Sequence, residues 1–108
     1  MCTTKTLSYS EKGYVAYCIQ CNYLQIAFGT TAACISKEQF EKLCDHIELL
    51  KQQYIEKTDT KEIWISLNNV ISLVLTSYEI YDLSKILTRA KTVFAIYVLA
   101  YEMKPCLN

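Results

Sequence analysis

Apolar residues recur along this chain in two rhythms. Some stretches alternate at every second position; longer ones repeat at every third or fourth. The first rhythm marks a strand with one buried face, the second a helix with one buried stripe. Leu24, Ile26 and Phe28 alternate with Gln25 and Ala27. Gly29-Thr30 then suits a two-residue II′ turn, which wants Gly first. A return strand over residues 31–35 places Phe28 opposite Thr31, Ile26 opposite Ala33 and Leu24 opposite Ile35. That register brings the apolar sets to one face. Ser36 and Gln39 have the spacing of a capping box, with Ile35 and Phe40 as the staple around it. Phe40, Leu43, Ile47, Leu50 and Tyr54 continue as a helical stripe.

About forty residues on, the same order returns. Ile63, Ile65 and Leu67 alternate, Asn68-Asn69 signals a turn, and Ile71, Leu73 and Leu75 alternate back. Thr76 and Glu79 form the second capping box, Leu75 and Ile80 the second staple. Ile80, Leu83, Leu87 and Ala90 form the second stripe. A two-residue Asn68-Asn69 loop would put the two apolar sets on opposite faces. An odd loop or a bulge, pairing Leu67 with Ile71, keeps them together, and burial sets register more firmly than turn preference.

Ahead of these copies, residues 5–10 and 14–19 read as another hairpin around Glu11-Lys12-Gly13, with Gly13 in the αL position that ends a three-residue loop. Pairing Ser10 with Tyr14 then sets Thr6 opposite Cys18. Residues 56–61 are a polar linker. Thr92 either caps a fresh helix over residues 92–104 or lies in a continuation of the second; Pro105 ends it. The expected fold is α+β, an antiparallel sheet from three hairpins with two or three helices on one face. It is one domain: an N-terminal hairpin (1–21), two ββα units (22–55 and 61–91) and the C-terminal helix (92–104).

Length and composition fit that reading. The chain has 108 residues, 52% of them hydrophobic and 20% charged, with a formal net charge of zero. The basic excess of a nucleic-acid binder is missing. The longest apolar run, residues 93–101, is far short of the roughly 20 residues a membrane span needs, and the N-terminus lacks the apolar core of an export signal. A cytoplasmic protein with reduced thiols is the expectation. The 93–101 run is apolar nearly all round, so it is buried in the monomer or against a second subunit. Phe94, Tyr97 and Tyr101 are therefore candidate contact residues in a homodimer. Trp64 is out of phase with Ile63 and Ile65 and should face outward, which marks it as a further contact residue.

Six cysteines are many for such a chain. Cys18-Ile19-Gln20-Cys21-Asn22 has the outline of a zinc knuckle, in which two thiolates and backbone N–H groups wrap one metal ion. Gly is usual after the second Cys, and Asn also accepts αL. The register above brings Cys2 level with Cys21-Asn22, so Cys2, Cys18 and Cys21 are the candidate ligands. Cys106, Cys44, His46, water or a second chain remain open as the fourth. Three readings compete: ordinary reduced thiols, a structural zinc site, and a redox dithiol. Redox cysteines gain from a helix N-terminus, which a pair between strands lacks. Cys34 and Cys44 read as small core residues. His46, the only histidine, falls on the solvent side of its helix. No Ser sits in a nucleophile elbow and no Gly-rich loop offers a phosphate cradle. The clustered Tyr9, Tyr14, Tyr17 and Tyr23 read as cross-strand packing pairs.

Met1-Cys2, the C-x-x-C at residues 18–21, the Leu24-Gln25-Ile26-Ala27-Phe28-Gly29 strand and turn, and the capped segments at 36–40 and 76–80 together resemble a family of short bacterial proteins, found mainly in Bacteroidetes, whose function is unknown. The resemblance covers nearly the whole chain and implies no activity. The residues lean away from an enzyme and toward a binding or assembly domain, homodimeric. A zinc-stabilised regulatory module is the alternative and a thiol-redox protein a remoter one. No nucleic-acid or membrane partner is expected.

Overall fold

The computed structural model describes residues 4–53 and 63–103, with side chains up to Leu99. Along the chain lie β1 (Thr4–Tyr9), β2 (Gly13–Cys18), β3 (Tyr23–Phe28), β4 (Thr31–Ile35), α1 (Lys37–Gln53), β5 (Ile63–Ser66), β6 (Ser72–Leu75) and α2 (Ser77–Met103). The fold is α+β. Its strands form two antiparallel sheets rather than the single one expected. The larger has the order β1-β2-β3-β4, and β5 pairs with β6 separately.

The turn chemistry explains where the strands meet. Gly29 has φ +63, as the first position of the expected turn requires. The register across it is Phe28 with Thr31, Ile26 with Ala33 and Leu24 with Ile35, as the alternation demands. Between β5 and β6 the loop is odd. The Leu67 N–H donates to the Ile71 carbonyl at 2.9 Å, so three residues lie between. Asn68 Oδ1 accepts from the N–H groups of Val70 (2.8 Å) and Ile71 (2.7 Å), and this side-chain turn keeps Ile65 opposite Leu73.

The first pair of strands corrects the sequence reading. Ser10 and Gly13 exchange backbone bonds, at 2.8 Å and 3.3 Å, so the loop is the two residues Glu11-Lys12. The register shifts once more between Thr6 and Ser8, where Leu7 forms a bulge. Each event moves the pairing by one residue, and Thr4 rather than Thr6 stands opposite Cys18. The bulge lets Leu7 and Ser8 both turn inward; both are buried. Gly13 is not in the αL region. It is needed for close approach, because a Cβ there would collide with the Ala27 carbonyl oxygen on β3.

Both helices start as their sequences specify. Ser36 N–H donates to Gln39 Oε1 (2.9 Å) and Gln39 N–H to Ser36 Oγ (3.2 Å). Thr76 N–H donates to Glu79 Oε1 (3.0 Å) and Glu79 N–H to Thr76 Oγ1 (3.1 Å). Each capping side chain contributes about 1 kcal/mol. The staple residues Ile35, Phe40, Leu75 and Ile80 are all buried. One core cluster joins Val15, Tyr17, Leu24 and Ile26 of the larger sheet to Ile65 and Leu73 of the smaller one and to the stripes of both helices. A polar contact fixes the helix crossing: the buried Ser84 hydroxyl donates to Glu48 Oε1 at 3.1 Å and accepts from Lys51 Nζ at 3.4 Å. α2 runs through Thr92 without a break. The Thr92 hydroxyl donates to the Thr88 carbonyl one turn back, so Thr92 caps nothing. Among the described residues no helix is long and apolar enough to cross a membrane.

These constraints rank three substitutions. Gly13→Ala should cost about 3 kcal/mol or more, because backbone must move, whereas Gly29→Ala has open space and should cost only about 1–2 kcal/mol for its φ. The buried Ser8 hydroxyl finds no partner among the described residues, so Ser8→Ala should leave stability unchanged or raise it by up to about 1 kcal/mol. Urea unfolding of the three variants checks the order.

Candidate functional site

Cys18 ends β2 and Tyr23 begins β3, so the C-x-x-C forms the turn between the two central strands. The turn closes through the Asn22 N–H, which donates to the Cys18 carbonyl at 2.9 Å. Asn22 takes φ +61, the left-handed conformation expected of the residue after the second Cys. The Cys21 N–H lies 3.4 Å from Cys18 Sγ and donates to it. A backbone donor aimed at sulfur is what a knuckle offers a thiolate. Cys18 is buried and Cys21 exposed.

Below the turn, Tyr17 ties it to the helices. Its hydroxyl donates to Asn22 Oδ1 at 3.0 Å. Its ring is buried, edge-on to Phe94 at 5.0 Å and to Tyr97 at 6.0 Å. Phe94 in turn meets Phe40 at 6.2 Å and carries Lys37 Nζ 5.8 Å above its face. Sequence reading missed this role of Tyr17. The one signal was its phase, inward with Val15 while Cys18 points outward. Cys21 and Asn22 line an open depression of about 410 Å³ with Ser36, Lys37 and Glu38 at the start of α1. Cys21, but not Cys18, thus shares this depression with the start of α1, which the sequence did not reveal.

The remaining candidates separate. Cys2 lies outside the described residues, as do Cys106 and the side chain of Tyr101. Among the described residues no three Cys, His, Asp or Glu side chains come together as a metal group. His46 is exposed. Cys34 is exposed rather than in the core, because its strand position is on the opposite side from Ala33 and Ile35. Cys44 is buried, and desolvation pushes its thiol up from 9.0 to about 11, while Lys91 pulls the other way. It lines a groove of about 350 Å³ with Glu48, Lys51 and Lys91, where the raised pKa favours the protonated thiol at neutral pH. A second open groove, of about 310 Å³, holds the Lys12–Asp82 ion pair (3.6 Å) with Lys85 and Arg89.

Trp64 faces outward, 70% exposed, opposite Val74 on β6. The end of α2 is divided. Phe94 and Tyr97 pack on the core, while Val93, Ile96 (63%) and Leu99 (59%) are exposed. The expectation that residues 93–101 are buried therefore holds for one side of the helix within this chain.

Two thiol classes follow. Alkylation of the native protein at pH 8 should label Cys21 and Cys34 and spare Cys18 and Cys44, read by peptide mass. Because the Cys44 proton is held more tightly in the folded state than in the unfolded one, Cys44 removes stability as pH rises from about 9 towards 11. Cys44→Ala should flatten that alkaline loss in denaturation curves.

No curated protein and no solved structure matches this chain. A model of a family of unknown function (DUF6686) matches residues 1–104, nearly the whole length. The chain belongs to that family.

Proposed function

We propose that this protein is a non-enzymatic binding and assembly domain that works as a homodimer in the cytoplasm. The observation that carries the reading is the end of α2. From Thr92 to Leu99 it bears no charged residue, and Val93, Ile96 and Leu99 stand exposed side by side at helical spacing. Trp64 adds a large exposed ring on a separate sheet. Phe94 and Tyr97 hold this helix end against Tyr17, and Tyr101 continues the same run. The reading takes the strands as three hairpins, the helices as lying on one face of the larger sheet, and residues 22–55 and 61–91 as two copies of one ββα unit. The matching capping boxes support that duplication.

A second reading, a zinc-stabilised regulatory module, is favoured by the turn geometry: the Cys21 N–H directed at Cys18 Sγ and the left-handed Asn22. Its ligands are Cys18, Cys21 and Cys2. Thr4, two residues after Cys2 in the sequence, stands opposite Cys18.

Two measurements separate the readings. Sedimentation over a wide concentration range should give a dimer that dissociates on dilution; a monomer throughout removes the first reading. Metal analysis of protein purified without chelator or tag metal should find zinc if the second holds, and chelation should then lower the melting temperature. Metal-free protein whose melting temperature ignores chelation removes it.

A further inference from the structure

The larger sheet has a second face, turned away from the Val15, Tyr17, Leu24 and Ile26 row. Strand pairing arranges it in three rows. Tyr9, Tyr14, Ala27 and Ala32 lie side by side across the four strands. Thr6, Ala16, Gln25 and Cys34 form the next row, and Thr4, Cys18 and Tyr23 the last. None of these residues is charged. The open side of an antiparallel sheet ordinarily carries the polar half of the alternation. Here Thr4, Thr6, Tyr9, Tyr23, Ala32 and Cys34 are exposed, Tyr14, Gln25 and Ala27 are half-buried, and Ala16 and Cys18 are buried between their neighbours; no charge accompanies them.

The heights of the side chains on this face follow a pattern. Large residues stand on β1 and β2 in the first row and on β3 in the other two. Small ones fill the mirrored positions. A two-fold axis parallel to the strands, passing between β2 and β3, exchanges β1 with β4 and β2 with β3 and leaves each row in place. It sets Tyr9 over the partner's Ala32 and Tyr14 over the partner's Ala27. It sets Gln25 over the partner's Ala16, Tyr23 over the partner's Cys18, and Thr6 over the partner's Cys34. Every large side chain meets a small one, the interdigitation a stacked pair of sheets needs at a separation of about 10 Å. The face is its own complement in charge as well, since neither copy forces a charged group out of water. A chain of zero net charge adds no long-range repulsion between copies.

We propose that this face is the dimer contact and that its occupant is a second copy of this chain, packed sheet on sheet about that axis. The proposal rests on the reading of the protein as a homodimer and places the contact on this face rather than at the end of α2, whose exposed Val93, Ile96 and Leu99 are then left to the binding role. Four strands at about 4.8 Å spacing and six residues at about 3.4 Å give a footprint of about 400 Å². A standard interface covers about 800 Å² of accessible surface per partner. The contact is thus about half the standard size, that of a weak dimer that dissociates on dilution.

The test uses Ala32→Lys, at an exposed edge-strand position where the monomer has room for the side chain, beside Ile96→Lys on the apolar end of α2. Circular dichroism checks that both fold. In sedimentation, Ala32→Lys should weaken dimerisation at least about tenfold, the effect of a lysine forced against Tyr9 of the partner, and Ile96→Lys should leave it unchanged. In the wild type, alkylation of Cys34 should slow as protein concentration rises, and in Ala32→Lys it should not. A dimer that ignores Ala32→Lys and falls apart with Ile96→Lys overturns this proposal and keeps the dimer reading. A monomer at every concentration removes both, and if Cys34 is then still protected, the cover comes from within the chain.

Discussion

The pairing of β2 with β3 is the constraint on which the rest of this molecule depends. These are the central strands, and their register decides which side chains enter the core. Val15 beside Ile26 and Tyr17 beside Leu24 face the helices, while Ala16, Cys18, Tyr23 and Gln25 face the other way. A slip of one residue would exchange the two sets. Gly13 holds the register at one end, since only a residue without Cβ lets the Ala27 carbonyl come so close. At the other end the Asn22 turn closes on the Cys18 carbonyl, and the Tyr17 hydroxyl fixes Asn22 in place. Through the Tyr17 ring the same register places the end of α2.

Much of this was legible in the sequence wherever local chemistry and burial agreed. Both capping boxes, the Gly29 turn, the β3–β4 register and the odd β5–β6 loop could be read because the alternation left one consistent answer. The β1–β2 register could not. Two small events, a loop one residue shorter and a bulge at Leu7, have no signature in a stretch of Thr, Lys and Ser. Gly13 reads as a turn residue because a sequence shows where Gly is and not which strand passes beside it. Residue type alone puts Cys34 in the core. Its phase against Ala33 and Ile35 already put it on the open face.

The candidate site was legible in outline. The C-x-x-C spacing drew attention to this turn, and the left-handed conformation expected of Asn22 is there, with the Cys21 N–H directed at Cys18 Sγ. The nearness of the turn to the start of α1 was beyond the sequence, because it depends on how β4 carries the chain back past Tyr23. Trp64 was legible by phase. The open face of the larger sheet was not, since its meaning lies in rows that cross four strands and exist only once every register is known.

The dimer and zinc readings constrain each other through Cys18, which belongs both to the knuckle and to the open face. A two-fold axis along the strands leaves the ends of the sheet where they are. Passing between β2 and β3, it runs close to the turn that joins them, so the two copies of the turn face each other at one end of the stacked pair. A single chain offers Cys18 and Cys21 among its described residues. Two chains offer twice that number, which matches the four-sulfur set that tetrahedral zinc prefers in structural sites. Stoichiometry then carries the structural argument. One zinc per chain means that Cys2 and a further donor complete each site separately. One zinc per two chains means a site shared between subunits, with cysteines of both copies as ligands.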